Sequence, residues 1–239
     1  MPFPIKLKQR REIAEGTMAF HFEKPEGFTF EAGQTLDLYL IDPPETDDEG
    51  NVRTFSIASA PHEQDLVFAT RMRDTAFKRV LKSAGTGHEV SADGPYGSFT
   101  LHKNASKAAV FLAGGIGITP FLSMSSDAAY RKLPHKIYLF YGNRRPEDSA
   151  FLEEIYEIEK YNANFKLVAS MSEMEKSKHA WEGEKGFITM EMIRKYVTNP
   201  ETAIYYIAGP PQMVTTLKSM LTKAGIDEDN VRYEEFAGY

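Results

Sequence analysis

The amino-acid sequence predicts two domains, an antiparallel β-barrel followed by an α/β domain with a parallel sheet. The 239 residues are enough for two compact cores of about 100 to 130 residues each. Roughly the first hundred residues form short strand-like runs separated by turn residues. From Lys107 onward, buried strands alternate with amphipathic helices, which is typical of βαβ units. We therefore expect domains at 1–103 and 104–239, with the boundary near His102 to Ser106.

Runs of β-favouring residues predict the strands of the first domain. These runs are Phe3–Lys8, Thr17–Phe22, Thr35–Ile41, Arg53–Ser59, Leu66–Met72 and Glu89–Asp93. One short helix is expected at Ala76–Ser83. The acidic stretch Asp42–Gly50 falls between two strands, and its carboxylates do not have the spacing of a calcium loop. We expect a solvated hairpin loop there.

The second domain is predicted from buried apolar runs and helical spacing of apolar residues. Its expected strands are Ala108–Ala113, Lys136–Tyr141, Phe165–Ser170, Ala203–Ala208 and Val231–Tyr233. Helices are expected at Thr119–Lys132 and Ser149–Tyr161, and a further helix is indicated by the apolar stripe Met213, Leu217, Met220 and Leu221.

The composition excludes several classes of protein. A net charge of −6, spread along the chain, argues against a nucleic-acid binder with a basic face. The absence of cysteine excludes disulfides and cysteine-ligated iron–sulfur or zinc sites. The six histidines lack metal-ligand spacing, so no metal is expected. The sequence shows neither a signal-type apolar core at its start nor about 18 unbroken apolar residues, so we expect a cytoplasmic protein without a membrane span.

The segment Arg53-Thr54-Phe55-Ser56 combines residues that suit a flavin. An arginine fork can hold a phosphate, an aromatic ring can lie against a planar ring, and a serine hydroxyl can reach a ring nitrogen. The same four residues are also compatible with an ordinary half-buried strand. Both interpretations stay open on these residues alone.

The longer run RTFSIASAP resembles the R-x-[YF]-S flavin signature of the ferredoxin-NADP reductase-like superfamily. Upstream, Phe30–Gln34 is similar to the family's F-x-x-G-Q element, and downstream Gly94–Phe99 is similar to its G-P-x-G-x-F element. The resemblance implies that Arg53 holds the flavin phosphate and that Ser56 approaches the reactive ring nitrogen. It also implies flavin contacts by Thr54 and Phe55.

The start of the predicted helix at Ala76 stands where the family binds the flavin diphosphate. A helix N-terminus offers free amide donors and a positive dipole end. This sequence lacks the family's glycine there and has Lys78 near the position of its hydroxyl residue. The implied contacts are Arg71, Met72 and the backbone amides of Ala76, Phe77 and Lys78. The cofactor implied is FAD, with FMN as the less favoured choice.

A glycine-rich segment, Ala113–Phe121, lies between a predicted strand and a predicted helix. Glycines at such a point let the backbone approach a pyrophosphate, although a lone glycine loop can also be a simple tight turn. The pattern is not the G-x-G-x-x-G fingerprint, but it resembles the family's G-G-x-G-x-T-P-F loop for NAD(P)H. The implied contacts are Gly114, Gly115, Ile116, Gly117, Ile118, Thr119 and Pro120, with Thr119 near the nicotinamide.

Later segments follow in the family's own order. Tyr141–Arg144 resembles its Y-G-x-R element, which implies contacts by Asn143 and Arg144. Tyr206–Met213 resembles its C-G-P-x-x-M element and implies contacts by Gly209, Pro210 and Met213. Alanine stands at position 208 instead of the usual cysteine, so we expect a slower or differently tuned hydride transfer, not its loss.

The last six residues, Glu234–Tyr239, resemble the family's acidic-aromatic terminus. Phe236 or Tyr239 would cover the flavin or the adenine, and Glu235 would be a polar neighbour. A terminal tyrosine can equally be a frayed end. The residues expected to act in catalysis are Ser56, Thr119 and Glu235.

The resemblance implies a reductase that moves a hydride from NADH or NADPH to FAD and passes electrons to an unidentified acceptor. Glu173 and Glu175 follow the third strand of the second domain, where NADP-specific relatives have a serine–arginine pair, so NADH is favoured. Lys176, Lys178 or Arg144 could compensate for these charges, so NADPH stays an alternative. The acceptor could be a ferredoxin, flavodoxin, haem protein, oxygenase or small oxidant. Two alternatives are a flavin-binding electron-transfer or regulatory subunit and a reductase of free flavin or ferric chelates.

Overall fold

The structure, a computed structural model, describes residues 2–236 of the chain. Two six-stranded sheets organise these residues, an antiparallel sheet within residues 3–96 and a parallel sheet within residues 109–235. The connection 97–108 joins the two sheets, and the predicted boundary near residues 102–106 falls inside it. The architecture expected from the sequence is therefore confirmed.

The first sheet curls into a barrel-like shape that is not closed. Its strands are β1 (Phe3–Ala14), β2 (Thr17–Glu23), β3 (Thr35–Leu40), β4 (Val52–Ser56), β5 (Asp65–Arg71) and β6 (Glu89–Tyr96). They are arranged in the order β4-β3-β6-β1-β2-β5, so β4 and β5 are the edges. Beyond β4, the amide of Ala58 donates to the carbonyl of Val67 (2.8 Å), and the amide of Val67 donates to Ser59 Oγ (3.0 Å).

Alternating apolar side chains form the interior of this sheet. Leu36, Leu38 and Leu40 of β3 are almost completely buried, as period-two patterning requires. Helix α1 (Ala76–Ser83) contributes Phe77 to the same core, and it has the bounds expected from the sequence. Strand β4 ends at Ser56 and not at Ser59 as expected, because the chain leaves the β3 ladder after that residue.

The second sheet is parallel throughout. Its strands are β7 (Ala109–Gly114), β8 (Ile137–Asn143), β9 (Phe165–Met171), β10 (Glu184–Lys185), β11 (Ile204–Gly209) and β12 (Val231–Glu235). The helices are α2 (Thr119–Tyr130), α3 (Leu152–Tyr161), α4 (Met190–Tyr196) and α5 (Pro211–Lys223). The strand order is β10-β9-β8-β7-β11-β12. Strand β10 and helix α4 were not expected from the sequence, since both are too short to give a clear periodic pattern.

The helices cover the two faces of this sheet. Phe111 of β7 packs in the cluster that holds α2 and α3, whereas its neighbour Leu112 packs in the cluster that holds α4 and α5. Helix α3 begins at Leu152 and not at Ser149 as expected, because Phe151 has a left-handed backbone conformation (φ 57°). Helix α2 ends at Tyr130, two residues before the expected Lys132, which itself has φ 52°.

The two domains share one apolar core. Ala58 and Val67 of the first domain belong to the same buried cluster as Phe121 of α2. Across this interface, Ser123 Oγ donates to the carbonyl of Ser59 (2.7 Å), and both serines are buried. Packing of α2 against the barrel therefore holds the two sheets in one relative position.

Within residues 2–236, the helices are too short or too polar for any of them to cross a membrane.

The first prediction concerns Gly33, where the two domains meet. Gly33 has φ +100°, and a Cβ there would lie 2.1 Å from the carbonyl oxygen of Phe99, which is a backbone atom that cannot easily move. We expect Gly33→Ala to lower the free energy of unfolding by about 2 to 4 kcal/mol. Gly16→Ala is the matched control, since Gly16 has φ +66° but open space around it, and it should cost only about 1 kcal/mol. Equal losses in urea denaturation would contradict the role of close packing at Gly33.

Candidate functional site

A cleft of about 860 Å³ opens at the carboxyl ends of the central strands of the second sheet. Strands β7 and β11 lie side by side there, and their helices α2 and α5 lie on opposite faces. This is a topological switch point, the place where open α/β sheets bind ligands. Arg71, the last residue of β5, also lines the cleft. Because residues of both domains line this cleft, we call the cleft the interdomain cleft.

The predicted glycine loop forms one end of the interdomain cleft. Gly114 and Gly115 line it, and their contact with the coenzyme stays a prediction. The five residues from Ile116 to Pro120, also predicted to bind the coenzyme, are buried and do not line it. Gly117 packs so closely on β11 that a Cβ would lie 2.2 Å from the carbonyl oxygen of Ala208. The loop therefore presents its first two glycines to the cleft and uses the third for packing.

Thr119, expected beside the nicotinamide, is 3 % exposed. Its Oγ1 donates to the carbonyl of Ile116 (3.2 Å), which stabilises the turn that leads into α2. The hydroxyl of Thr119 therefore stabilises the glycine loop from its buried side. Its expected contact with the coenzyme stays a prediction.

Polar side chains from β8 and from the turn after β9 form one wall of the interdomain cleft. Asn143 is buried, and its side chain lies within hydrogen-bond reach of the buried hydroxyl of Tyr141. Arg144 is exposed beside it. Glu173 also lines the wall, and its hydrogen bond from Lys176 (2.7 Å) lowers the pKa of its carboxyl. The amide of Asn143 and the charges of Arg144 and Glu173 therefore make this wall of the cleft polar.

The opposite wall is formed by the start of α5 and by the turn after β10. The predicted residues Pro210 and Met213 lie here, and Gln212 stands between them. Gly209, also predicted, does not line the cleft. Its backbone has φ +158° and lies close to Gly114, so that a Cβ added to Gly209 would lie 3.2 Å from the carbonyl oxygen of Gly114. The ring of Phe187 is 81 % exposed at the mouth of the cleft.

The predicted flavin segment lies on β4 at the edge of the barrel-like sheet. Ser56 is 3 % exposed, and its Oγ has no hydrogen-bond partner within the described part of the chain. Phe55 is buried and packs against Phe68 and Phe77, with ring centroids about 6 Å apart. Thr54 is exposed, and its hydroxyl donates to Asp37. Among the described residues, Ser56 thus has a hydroxyl without a hydrogen-bond partner.

Cationic and amide donors gather where β4 meets the start of α1. The guanidinium of Arg53 lies over the ring of Phe77, 5.1 Å from its centroid. The side chain of Lys78 is buried and donates to the carbonyl of Arg71 (2.8 Å). Burial, followed by the charges of Arg73 and Arg53, lowers the pKa of Lys78 to about 8. This concentration of positive charge favours an anion at the helix start.

Other predicted flavin contacts of the barrel domain, the amides of Met72, Ala76 and Lys78, already have hydrogen-bond partners within the protein. Met72 packs against the core of the barrel, and its amide donates to the carbonyl of Gly16 (2.7 Å). The amide of Ala76 donates to Asp47, whereas that of Lys78 donates to Thr75 Oγ1, the cap of α1 (3.4 Å). At this helix start, the Ala76 amide is therefore already hydrogen-bonded to a carboxylate of the protein.

The end of the chain runs along β12 beside β11. Glu235 pairs in register with Gly209 and is exposed. Its neighbour Glu234 is half-buried and faces a second cavity of about 590 Å³ that is also lined by Gly97, Ser98 and Phe99. Burial raises the pKa of Glu234 to about 7. The amide of Phe236 donates to the carbonyl of Gly209 (3.0 Å), and Tyr239 lies outside the described residues.

Sequence reasoning missed several residues that the structure brings to these cavities. Gln212 and Phe187 line the interdomain cleft, and Glu234 lines the second cavity. Glu234 could have been found by extending the alternation of β12, in which residues 232 and 234 face inward and 233 and 235 outward. Nothing in the local sequence marks Phe187 as a cleft residue. Among residues 2–236, no three histidine, aspartate or glutamate side chains are grouped so that they could hold a metal ion.

The second domain matches a known family in sequence. Residues 111–219 match the model of the oxidoreductase NAD-binding domain. The chain is 29 % identical over 206 residues to one component of the Na(+)-translocating NADH-quinone reductase of Pseudoalteromonas atlantica, covering 80 % of this chain and 50 % of that component. It is 32 % identical over 223 residues to the reductase component of propane 2-monooxygenase from Mycolicibacterium smegmatis, covering 89 % of this chain and 61 % of that protein. The chain thus spans about half to three fifths of these relatives.

The fold is shared over almost the whole chain. A ferredoxin NADP+ reductase from Neisseria gonorrhoeae, solved with bound FAD and NADP, superposes with a TM-score of 0.79 at 19 % sequence identity. The superposition covers 98 % of both chains. Residues 111–219 therefore match the oxidoreductase NAD-binding domain, and the chain as a whole shares the two-domain fold of a ferredoxin NADP+ reductase.

Proposed function

We propose that the chain is an NADH-dependent flavoprotein reductase, which transfers a hydride from the nicotinamide coenzyme to a bound FAD and passes the electrons to an acceptor. The observation that carries this proposal is the position of Arg71. This residue of the barrel domain borders the interdomain cleft, and its carbonyl accepts the hydrogen bond of Lys78 at the start of α1. One short segment of chain therefore has the cleft on one side and the predicted flavin donors on the other.

The residues of the barrel domain fit a flavin. The buried hydroxyl of Ser56 has no hydrogen-bond partner within residues 2–236. Arg53 and the amide of Ala76, which hydrogen-bond to carboxylates of Glu49 and Asp47, are the proposed donors to phosphate. Phe55 and Phe77 provide apolar ring surface beside Arg53. Flavin chemistry, when the group is bound, supplies hydride acceptance and electron release. FMN carries one phosphate and FAD carries two, so FAD is the choice that places a phosphate at both Arg53 and the amide of Ala76.

The interdomain cleft fits a nicotinamide dinucleotide. The backbone of Gly114 and Gly115 can approach a pyrophosphate, and the side-chain amide of Asn143 in the cleft wall can bind a polar group of the coenzyme. The exposed ring of Phe187 offers a flat apolar surface at the cleft mouth, which suits an adenine. The protein would then contribute alignment and electrostatics to the reaction, as cofactor enzymes do.

The relatives support a role as the reductase part of a larger electron-transfer system. One matched protein is a component of an NADH-quinone reductase, and another is the reductase component of a monooxygenase. We propose an oxygenase, a ferredoxin-like protein or a small oxidant as the acceptor, and a cytoplasmic location for the reaction. The match of most of this chain to these proteins supports the reductase activity more strongly than it supports any one acceptor.

The second prediction tests the proposed reaction through Ser56. After reconstitution with FAD, the wild-type protein should show a yellow absorption band that NADH bleaches in anaerobic stopped-flow mixing. Ser56→Ala should retain FAD but slow the bleaching about tenfold or more, because a hydrogen bond to the reacting flavin is lost. Ser91→Ala, a serine of β6 elsewhere in the same sheet, is the control and should bleach at the wild-type rate. A wild-type protein that stays colourless after reconstitution with FAD and with FMN would overturn the proposal.

The third prediction concerns coenzyme choice. Glu173 lines the interdomain cleft, and its negative charge would repel the 2′-phosphate of NADPH. We expect the wild-type protein to prefer NADH, and Glu173→Gln to reduce the ratio of kcat/KM for NADH over NADPH by about threefold to tenfold. Glu175→Gln removes the same charge from an exposed residue outside the cleft wall, so its ratio should stay within about twofold of the wild-type value. A wild-type preference for NADPH would contradict this role of Glu173.

The fourth prediction concerns Glu234 and pH. Because burial raises its pKa from about 4.5 to about 7, the folded protein binds this proton more tightly than the unfolded chain does. The resulting stabilisation is complete below pH 4.5 and is lost as the pH rises through 7. The side chain of Glu234→Gln stays neutral at both pH values. The free energy of unfolding of this variant, relative to that of the wild type, should therefore rise by about 1 to 3 kcal/mol between pH 5 and pH 8.

Denaturant unfolding at pH 5 and pH 8 measures this difference. Glu235→Gln is the matched control, since it removes a carboxylate from the exposed neighbour on the same strand. An equal gain in the two variants between pH 5 and pH 8 would show that burial of Glu234 is not the cause.

A further inference from the structure

The loop between β3 and β4, residues 42–50, folds over the start of α1, and we call it the acidic loop. Asp47 Oδ2 accepts a hydrogen bond from the backbone amide of Ala76 (2.6 Å). Glu49 Oε2 accepts one from Arg53 Nη2 (2.6 Å). The sequence predicts a solvated hairpin loop here, and its residues are indeed mostly exposed, but two of its carboxylates reach these donors. Ala76 and Arg53 are the donors to which the proposed function assigns the flavin phosphates.

Further contacts hold the acidic loop in this place. Arg79, on the exposed side of α1, binds both carboxylate oxygens of Glu45 (2.6 and 3.1 Å). Arg53 Nη1 donates to the backbone carbonyls of Glu49 (2.8 Å) and Val52 (2.7 Å). Asp47 Oδ1 accepts from the amide of Glu49 (3.1 Å), which aligns the two carboxylates. The loop is therefore shaped around Arg53 and tied to the helix whose amide Asp47 occupies.

The surroundings of these donors favour a ligand with negative charge. Lys78, Arg73 and Arg53 lie close enough for the two arginines to lower the pKa of the buried lysine. Three residues along the strand from Arg53, the buried hydroxyl of Ser56 has no hydrogen-bond partner within residues 2–236, which independently indicates a ligand on this strand. The carboxylates of Asp47 and Glu49 therefore accept the hydrogen bonds that phosphate oxygens would accept from Ala76 and Arg53.

Resting on the proposed function, we propose that the acidic loop is an intramolecular competitor of the flavin phosphates, so that Asp47 and Glu49 determine how tightly the protein binds flavin. The Ala76 amide has a single N–H, and the Arg53 N–H that faces Glu49 cannot face a phosphate at the same time. Binding of a phosphate through these two N–H groups therefore requires the loop to release them. The free energy of those two charge-assisted hydrogen bonds is subtracted from the free energy of flavin binding.

The competition is specific to the phosphate end of the ligand. Riboflavin has the same ring system but no phosphate, so it does not need the donors that the acidic loop occupies. The loop should therefore weaken binding of FAD and FMN and leave binding of riboflavin unaffected. This distinction separates competition at the phosphate donors from a general effect of the loop on the stability of the site.

The fifth prediction tests this competition by flavin binding to the 239-residue chain. Binding is measured from the quenching of flavin fluorescence after any bound flavin has been removed. The double variant Asp47→Asn/Glu49→Gln keeps the shape of both side chains and should bind FAD and FMN about tenfold more tightly than the wild type. Its affinity for riboflavin should stay within about twofold of the wild-type value. Asp48→Asn is the matched control, because Asp48 is an exposed carboxylate of the same loop, and it should leave FAD affinity within about twofold as well.

A second measurement follows the loop itself. Hydrogen exchange of backbone amides in residues 42–50 of the wild-type protein should become faster on addition of FAD, because the loop is released, and should not change on addition of riboflavin. This readout needs neither a variant nor a coenzyme.

The outcomes distinguish this inference from the proposed function. If the wild-type protein binds FAD and is bleached by NADH, but the double variant binds FAD no more tightly than Asp48→Asn and exchange in the loop is unchanged, the competition is refuted and the reductase activity stands. If neither the wild type nor the double variant binds FAD or FMN, both are refuted. If the wild type binds FAD weakly and the double variant binds it tightly, the result supports both the competition and the proposed function.

Discussion

Strands β7 and β11 end in turns whose backbones touch, and the interdomain cleft depends on this contact. A Cβ on Gly117 would lie 2.2 Å from the carbonyl oxygen of Ala208, and one on Gly209 would lie 3.2 Å from that of Gly114. Glycine is the residue that permits such an approach. Because the chain leaves β7 and β11 towards opposite faces of the sheet, the touching turns form the floor of a cleft between their helices.

The barrel domain completes the cleft because it is packed rigidly against α2. The shared apolar core and the hydrogen bond from Ser123 to Ser59 hold β5 beside the glycine turn, and Arg71 at the end of β5 becomes part of the cleft wall. The same residue receives the hydrogen bond of Lys78, so the nucleotide cleft and the anion donors at α1 are linked by one segment. A relative shift of the domains would change both sites together.

The sequence predicted most of what depends on short-range patterns. Period-two and helical spacing located nearly all strands and helices, and the missed ones, β10 and α4, are two and seven residues long. The segments around Arg53 and Gly114 were located by residue chemistry and by resemblance. Side-chain direction was less predictable: Glu234, and not its predicted neighbour Glu235, points inward, because the register of β12 on β11 decides which residues of the strand are covered.

By itself, the sequence determined the order of the two domains, their elements and the positions of the glycine and arginine motifs, since each depends on residues adjacent in the chain. The tertiary structure decided which of these residues line a cavity. Thr119 turns inward to Ile116, Phe187 comes to the cleft mouth, and Asp47 reaches the amide of Ala76, 29 residues away. These contacts join segments far apart in sequence, and the packing of the domains determines their distances, which no local periodicity encodes.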